Sequence, residues 1–94
     1  MTINILGIPY KVEEVECVNK HEPCQGEIDF EQCEIRIDKS LPTDLKNQVL
    51  MHELIHGILE LLGYKAENED EQKVQGLATA LHLLLQESKP IFFF

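Results

Sequence analysis

The sequence is short of positive charge. The 94 residues include 8 lysines and arginines and 17 aspartates and glutamates, and the formal net charge is −9. Nucleic-acid binding needs clustered basic side chains, because contacts with phosphates supply much of the affinity. An anionic membrane surface attracts basic segments for the same electrostatic reason. We therefore expect neither nucleic acid nor a membrane surface as a partner.

Cysteines and long apolar runs are also scarce. The three cysteines are an odd number, which does not suit a disulfide framework. No run approaches the roughly 20 apolar residues that cross a bilayer. The apolar stretch at residues 1–10 lacks the basic residues that open a secretory signal. These absences predict a cytoplasmic protein with reduced thiols.

Hydrophobic periodicity divides the chain into a strand half, 1–38, and a helical half, 40–89. Within the strand half, Gly26–Phe30 and Cys33–Asp38 form a predicted hairpin. A short apolar tail, 90–94, either packs on the core or docks on a partner. We expect one α+β domain over 1–94, with a small antiparallel sheet of three to four strands followed by two helices.

The two predicted helices have recognisable ends. Apolar residues at helical spacing indicate a first helix that stops at Gly63. Residues 65–68 are a predicted connector, and the acidic residues at 69–71 open the second helix. Pro90 ends that helix, because proline cannot donate the backbone hydrogen bond.

The most informative motif is His52-Glu53-Leu54-Ile55-His56 in the first helix. Residues four apart lie on one helix face, so the two imidazoles can bind one zinc ion at about 2.1 Å each. Zinc lowers the pKa of a bound water toward roughly 7, and Glu53 can accept a proton from it. The motif therefore predicts a zinc site with a general base. Two histidines spaced by chance are the simpler alternative, and Fe(II) takes the same ligand types but gives Glu53 no role.

A third protein ligand is needed, and the acidic residues around the start of the second helix are candidates. Glu71 is our choice, because it lies in phase with Val74 and Ala78 and so faces inward. Acidic residues also favour helix N-termini without any metal. Three such residues remain as alternatives: Glu67, Glu69 and Asp70.

The oxyanion of a hydrolytic transition state would need a further donor. Tyr64 and His82 have suitable side chains. Tyr64 also suits ordinary aromatic packing after the helix stop, and His82 suits a half-buried position beside an apolar stripe.

A second metal site is a weaker possibility. Cys17, His21, Cys24 and Cys33 have the ligand types of a structural zinc site. Their spacing is not that of a tight Cys-x-x-Cys knuckle. Strand alternation explains Cys17 and Cys33 equally well as small buried residues.

The two helical motifs resemble those of the ImmA/IrrE-type zincins. In that family a His-Glu-x-x-His helix precedes a helix with a Glu-x-x-Ala-x-x-Phe-Ala pattern, whose Glu is the third zinc ligand. The matching stretch here is Glu71-x-x-Val74-x-x-Leu77-Ala78, which has Val and Leu in place of the usual Ala and Phe. The predicted hairpin is similar to the one before the active helix in small phage and prophage versions. The resemblance covers about residues 26–85 and implies that Glu71 is the third ligand.

The resemblance also implies a function: a zinc-dependent metallopeptidase-like protein that cleaves a peptide or a regulatory protein such as a repressor. If the chain is phage-encoded, it would act in the bacterial host cell. The Leu-Leu-Met-Pro ending common after the second helix is replaced here by Leu83-Leu84-Leu85-Gln86. Two other classes of function remain, a catalytically silent zinc-stabilised binding or inhibitor module and a metal-dependent hydrolase of another bond.

Overall fold

A computed structural model describes residues 1–16, 18 and 24–88 of the chain. It confirms the predicted α+β class, with a four-stranded sheet followed by three helices. The strands are β1 (Thr2–Ile5), β2 (Ile8–Val15), β3 (Gly26–Asp29) and β4 (Glu34–Asp38), and the helices are α1 (Thr43–Leu62), α2 (Lys65–Glu69) and α3 (Glu71–Glu87). Across these described ranges, no helix is both long enough and apolar enough to cross a membrane.

The sheet has the strand order β1-β2-β4-β3. β1 and β2 form an antiparallel hairpin, whose turn residues Leu6 and Gly7 have φ of 49° and 84°. Positive φ at both positions is typical of tight two-residue hairpin turns. β3 and β4 form the predicted antiparallel hairpin, but β2 and β4 pair in parallel. The prediction of an antiparallel sheet is therefore wrong at its centre, because β3 takes the edge and β4 lies between β3 and β2.

One face of the sheet packs against α1 and forms the main core. Tyr10 and Ile35 are nearly inaccessible to solvent and belong to one core cluster with Val49 and other apolar residues of α1. Burial of each such side chain contributes roughly 1.5–3 kcal/mol to the free energy of unfolding. The opposite face is polar, where the Arg36 guanidinium lies 2.9 Å from Glu27 and 3.0 Å from Glu34. The core thus fixes α1 across the sheet.

The helix ends follow local chemistry. α1 ends at Gly63, where φ is 81°, as predicted. The predicted connector at 65–68 instead forms the short helix α2. Asp70 caps α3 by accepting a hydrogen bond from the Lys73 backbone N–H at 3.1 Å. α3 ends at Glu87, and the predicted stop at Pro90 lies outside the described residues.

Candidate metal centre

Helix α1 presents two imidazoles to the start of α3. His52 and His56 lie one helical turn apart, with ring centroids 4.8 Å from each other. Nε2 of His52 lies 3.1 Å from Glu71 Oε2, and Nε2 of His56 lies 3.0 Å from Glu71 Oε1. One carboxylate thus faces both imidazoles.

Packing between α1 and α3 holds Glu71 at this position. Val74 is 0% exposed and Ala78 is 2% exposed, and both pack against Ile55 of α1. Because Glu71 lies one turn before Val74, its carboxylate reaches the same side of α1. The sequence predicted that Glu71 faces inward. Its carboxylate does face the imidazoles of α1, but 68% of its side-chain surface stays exposed.

The residues fit a metal ion in both geometry and chemistry. The candidate ligand atoms of His52, His56 and Glu71 all lie within 4.8 Å of one another. Ligands around a tetrahedral zinc ion at about 2.1 Å would lie roughly 3.4 Å apart, so small side-chain shifts suffice. Two imidazoles and one carboxylate form a known donor set of catalytic zinc sites, which keep the fourth position for water. The cluster could therefore hold a metal, and zinc itself stays a prediction.

The three alternative ligands do not join this cluster. Among the described residues, the group able to surround a metal ion consists of His52, His56 and Glu71. The Asp70 carboxylate is used as the cap of α3. Glu67 and Glu69 lie on α2 and are exposed.

Glu53 is a buried carboxylate beside the two imidazoles, with 8% of its surface exposed. Burial raises the pKa of Glu53 above its ordinary value, while charge on His52 and His56 acts in the opposite direction. A carboxylate in such surroundings holds a proton more readily than an exposed one, as a general base requires.

Residue 26 must be small for β3 to approach this carboxylate. A Cβ atom on Gly26 would lie 2.4 Å from Val49 Cγ1 and 3.4 Å from Glu53 Oε2. The first distance is far shorter than any van der Waals contact. Gly26 therefore allows the edge strand to pass directly beside α1.

Two adjacent hollows border Glu53. One, of about 390 Å³, lies over the histidines and Glu71 and is walled by Ile28 and Phe30. The other, of about 270 Å³, is walled by Leu45 and Val49, with glutamines around them. Strand β3 forms the sheet edge along this cleft. The candidate site is thus open to solvent and bordered by an edge strand.

The remaining predicted site residues lie elsewhere. Tyr64 is 53% exposed at the junction of α1 and α2, and His82 lines a different groove with Met51 and Leu54. In the described part of the chain, neither residue lines the two hollows beside Glu53.

The predicted cysteine and histidine site stays untested. Cys17 and His21 lie outside the described residues. Cys33 packs against the main core, and its thiol lies 3.8 Å from the Phe30 carbonyl oxygen. This packing agrees with the alternative, in which Cys33 is a small buried residue.

Two amide side chains that the sequence did not predict contact the Nδ1 atoms of the imidazoles. Asn68 Oδ1 lies 2.7 Å from His56 Nδ1, and Gln75 Oε1 lies 2.8 Å from His52 Nδ1. Gln75 follows Glu71 by one helical turn, a spacing that could have revealed it. Asn68 had no comparable signal, because it lies on the unpredicted helix α2.

Comparison with models of known protein families, with curated proteins and with solved structures finds no significant match to this chain. The resemblance to the ImmA/IrrE-type zincins therefore depends on the two helical motifs and the hairpin, and it stays a prediction.

Proposed function

We propose that this chain is a zinc-dependent metallopeptidase-like protein that hydrolyses peptide bonds. In this proposal His52, His56 and Glu71 bind zinc, and Glu53 is the general base. The observation that carries it is the convergence of two imidazole Nε2 atoms on one carboxylate, with a second, buried carboxylate alongside. When bound, zinc would polarise the substrate carbonyl and lower the pKa of a water molecule.

Glu53 has the surroundings that its proposed role requires. Its burial and its raised pKa favour proton uptake from the attacking water. The same carboxyl can then donate that proton to the leaving amine. In this proposal the Nε2 atoms of His52 and His56 would bind zinc and could not accept a proton. Glu53 is then the group beside them that can move a proton.

The cleft suits an extended peptide as the substrate. β3 is the edge strand beside the candidate ligands, so a peptide could pair with it as an additional strand. The two hollows on either side of Glu53 would then receive side chains of the substrate. We infer that the substrate is a peptide or an exposed segment of a protein, for example a regulatory protein.

A second candidate is a catalytically silent, zinc-stabilised binding or inhibitor module. The observation in its favour is the apolar surface of α3, on which Leu77 is 50% exposed, Leu83 45% and Leu84 49%. Exposed apolar residues that cluster can mark contact surfaces. With either function, we expect the chain to act in the cytoplasm, where thiols stay reduced. If the chain is phage-encoded, this would be the cytoplasm of a bacterial host.

A comparison of wild type with Glu53→Gln separates the two candidates. Both proteins would be loaded with zinc, checked for metal content, and incubated with a library of fluorescence-quenched peptides. The proposal predicts cleavage by wild type and a loss of about 10²-fold or more in Glu53→Gln at unchanged metal content.

Three other outcomes would redirect the proposal. Equal cleavage by both proteins would remove Glu53 from the mechanism. Zinc binding without any cleavage would favour the binding module. Turnover of ester or phosphoester substrates, but of no peptide, would identify a different hydrolase.

A further inference from the structure

Behind the candidate metal ligands lie two amide side chains, Asn68 of α2 and Gln75 of α3. Each faces an imidazole Nδ1, the nitrogen directed away from Glu71, at 2.7 Å for His56 and 2.8 Å for His52. The two imidazoles are thus contacted on both ring nitrogens.

Each amide makes a second hydrogen bond. Asn68 Nδ2 donates to Glu60 Oε2 at 3.0 Å, and Gln75 Nε2 donates to Thr79 Oγ1 at 3.1 Å. An amide nitrogen is a donor and an amide oxygen is an acceptor. A carboxylate such as Glu60 can only accept, so the amide group of Asn68 must place its oxygen toward His56.

The orientation of the amide in turn sets the tautomer of the imidazole. Because Asn68 Oδ1 accepts, His56 Nδ1 must carry hydrogen, and the lone pair needed for a metal is left on Nε2. That Nε2 atom is the one that faces Glu71 at 3.0 Å. The chain from Glu60 through Asn68 to His56 therefore aims the ligand nitrogen at the metal position.

We propose that Asn68, held in place by Glu60, is a positioning residue that fixes the ring orientation and tautomer of His56 for metal binding. The inference builds on the proposed metal centre. Glu60 follows His56 by one turn of α1, so Asn68 is bound to two successive turns of the ligand helix. The short helix α2, which has no buried residue, then has a role in placing Asn68.

Gln75 supplies a weaker version of the same support to His52. The Asn68–His56 hydrogen bond is partly buried, whereas the Gln75–His52 hydrogen bond is exposed. Water can replace a lost partner at an exposed site more easily than at a buried one. We therefore expect Asn68→Ala to weaken metal binding more than Gln75→Ala.

The test measures zinc affinity of the full chain by competition with a chromophoric chelator. Loss of an outer-shell partner typically lowers metal affinity by about 10–100-fold, and we expect a loss of this size in Asn68→Ala. Glu69→Ala is the matched control, because it truncates an exposed neighbour on the same helix. Its affinity should equal that of wild type.

A double-variant comparison separates a relay from simple loss of folding. If Glu60 acts only through Asn68, Glu60→Ala weakens zinc binding in the wild-type background but adds no further loss to Asn68→Ala. Circular dichroism of the metal-free proteins would check that each variant is folded. Imidazole ¹⁵N spectra of the zinc-loaded wild type should show His56 bound through Nε2 and protonated on Nδ1.

Each outcome has a defined meaning. If wild type binds zinc and Asn68→Ala binds it equally well, the positioning role is overturned and the metal centre stands. His56 bound through Nδ1 in wild type would also overturn the positioning role, even if Asn68→Ala failed to fold. Wild type that binds no zinc would overturn the metal centre and this inference together.

Discussion

Two helical glycines allow a matched test of how α1 packs on the sheet. Gly57, next to His56 in α1, is buried, whereas Gly76 in α3 is exposed. A Cβ atom on Gly57 would lie 2.9 Å from Ile5 Cδ1 and 3.1 Å from Ile28 Cδ1. Among the described residues, a Cβ atom on Gly76 would meet no atom within 4 Å apart from its chain neighbours and the backbone of its own helix. The two substitutions to alanine therefore differ mainly in the space available to the added methyl group.

The expected magnitudes follow from two opposing terms. Alanine stabilises a helix interior by about 1 kcal/mol relative to glycine, and this gain applies to both variants. Overpacking a core costs about 1–3 kcal/mol, and the lower end applies here because the atoms that must move are ends of isoleucine side chains. Gly76→Ala should gain about 1 kcal/mol, and Gly57→Ala should gain nothing or lose stability.

Thermal unfolding of both variants without metal would measure the difference. A gap of about 1 kcal/mol corresponds to about 4–8 °C in Tm for a domain of this size, with Gly76→Ala the more stable. Chelator in the buffer removes metal, so that metal binding by His56, next to Gly57, does not affect the comparison. Equal stabilisation of the two variants would mean that α1 does not approach β1 and β3 closely at Gly57, and would refute the packing described here.

Two further predictions concern stability. Zinc at about 100 times its Kd should stabilise wild type by about 2.7 kcal/mol, whereas His56→Ala should show little zinc-dependent change in Tm. An equal zinc response in the two proteins would contradict a site at His56. The second prediction follows from the raised pKa of Glu53, whose ionised form is disfavoured by burial. In the absence of metal, Glu53→Gln should therefore be more stable than wild type above the folded-state pKa of Glu53. This advantage should shrink as the pH falls toward the unfolded value of about 4.3, where the carboxyl is increasingly neutral in both states. Denaturant unfolding at several pH values would measure it, and a pH-independent difference would contradict the assignment to ionisation.

Much of the helical half was predictable, because its signals are local. The helix stop at Gly63 needs only a residue that tolerates positive φ, and the structure has φ of 81° there. The inward phase of Glu71 follows from its spacing to Val74, which is fully buried. The helix α2 was missed because it has five residues and no buried face, so it leaves no apolar periodicity.

The remaining features depend on long-range contacts that no local pattern encodes. The parallel pairing of β2 with β4 places Val12 beside Ile35, and alternation within each strand is the same for either direction of pairing. The hydrogen bond between Asn68 and His56 joins residues of different helices. Sequence spacing could propose the metal ligands on α1, but it could not identify the amide side chains that orient them.

Metal content of the purified protein tests the central proposal most directly. Wild type, Glu71→Ala and the control Glu69→Ala would be purified without added metal and analysed for zinc and iron per chain. We predict about one zinc per chain in wild type and in Glu69→Ala, and little or none in Glu71→Ala. No metal in wild type, with none bound on titration, would contradict the metal centre and the proposed function. Full zinc content in Glu71→Ala would contradict the assigned third ligand.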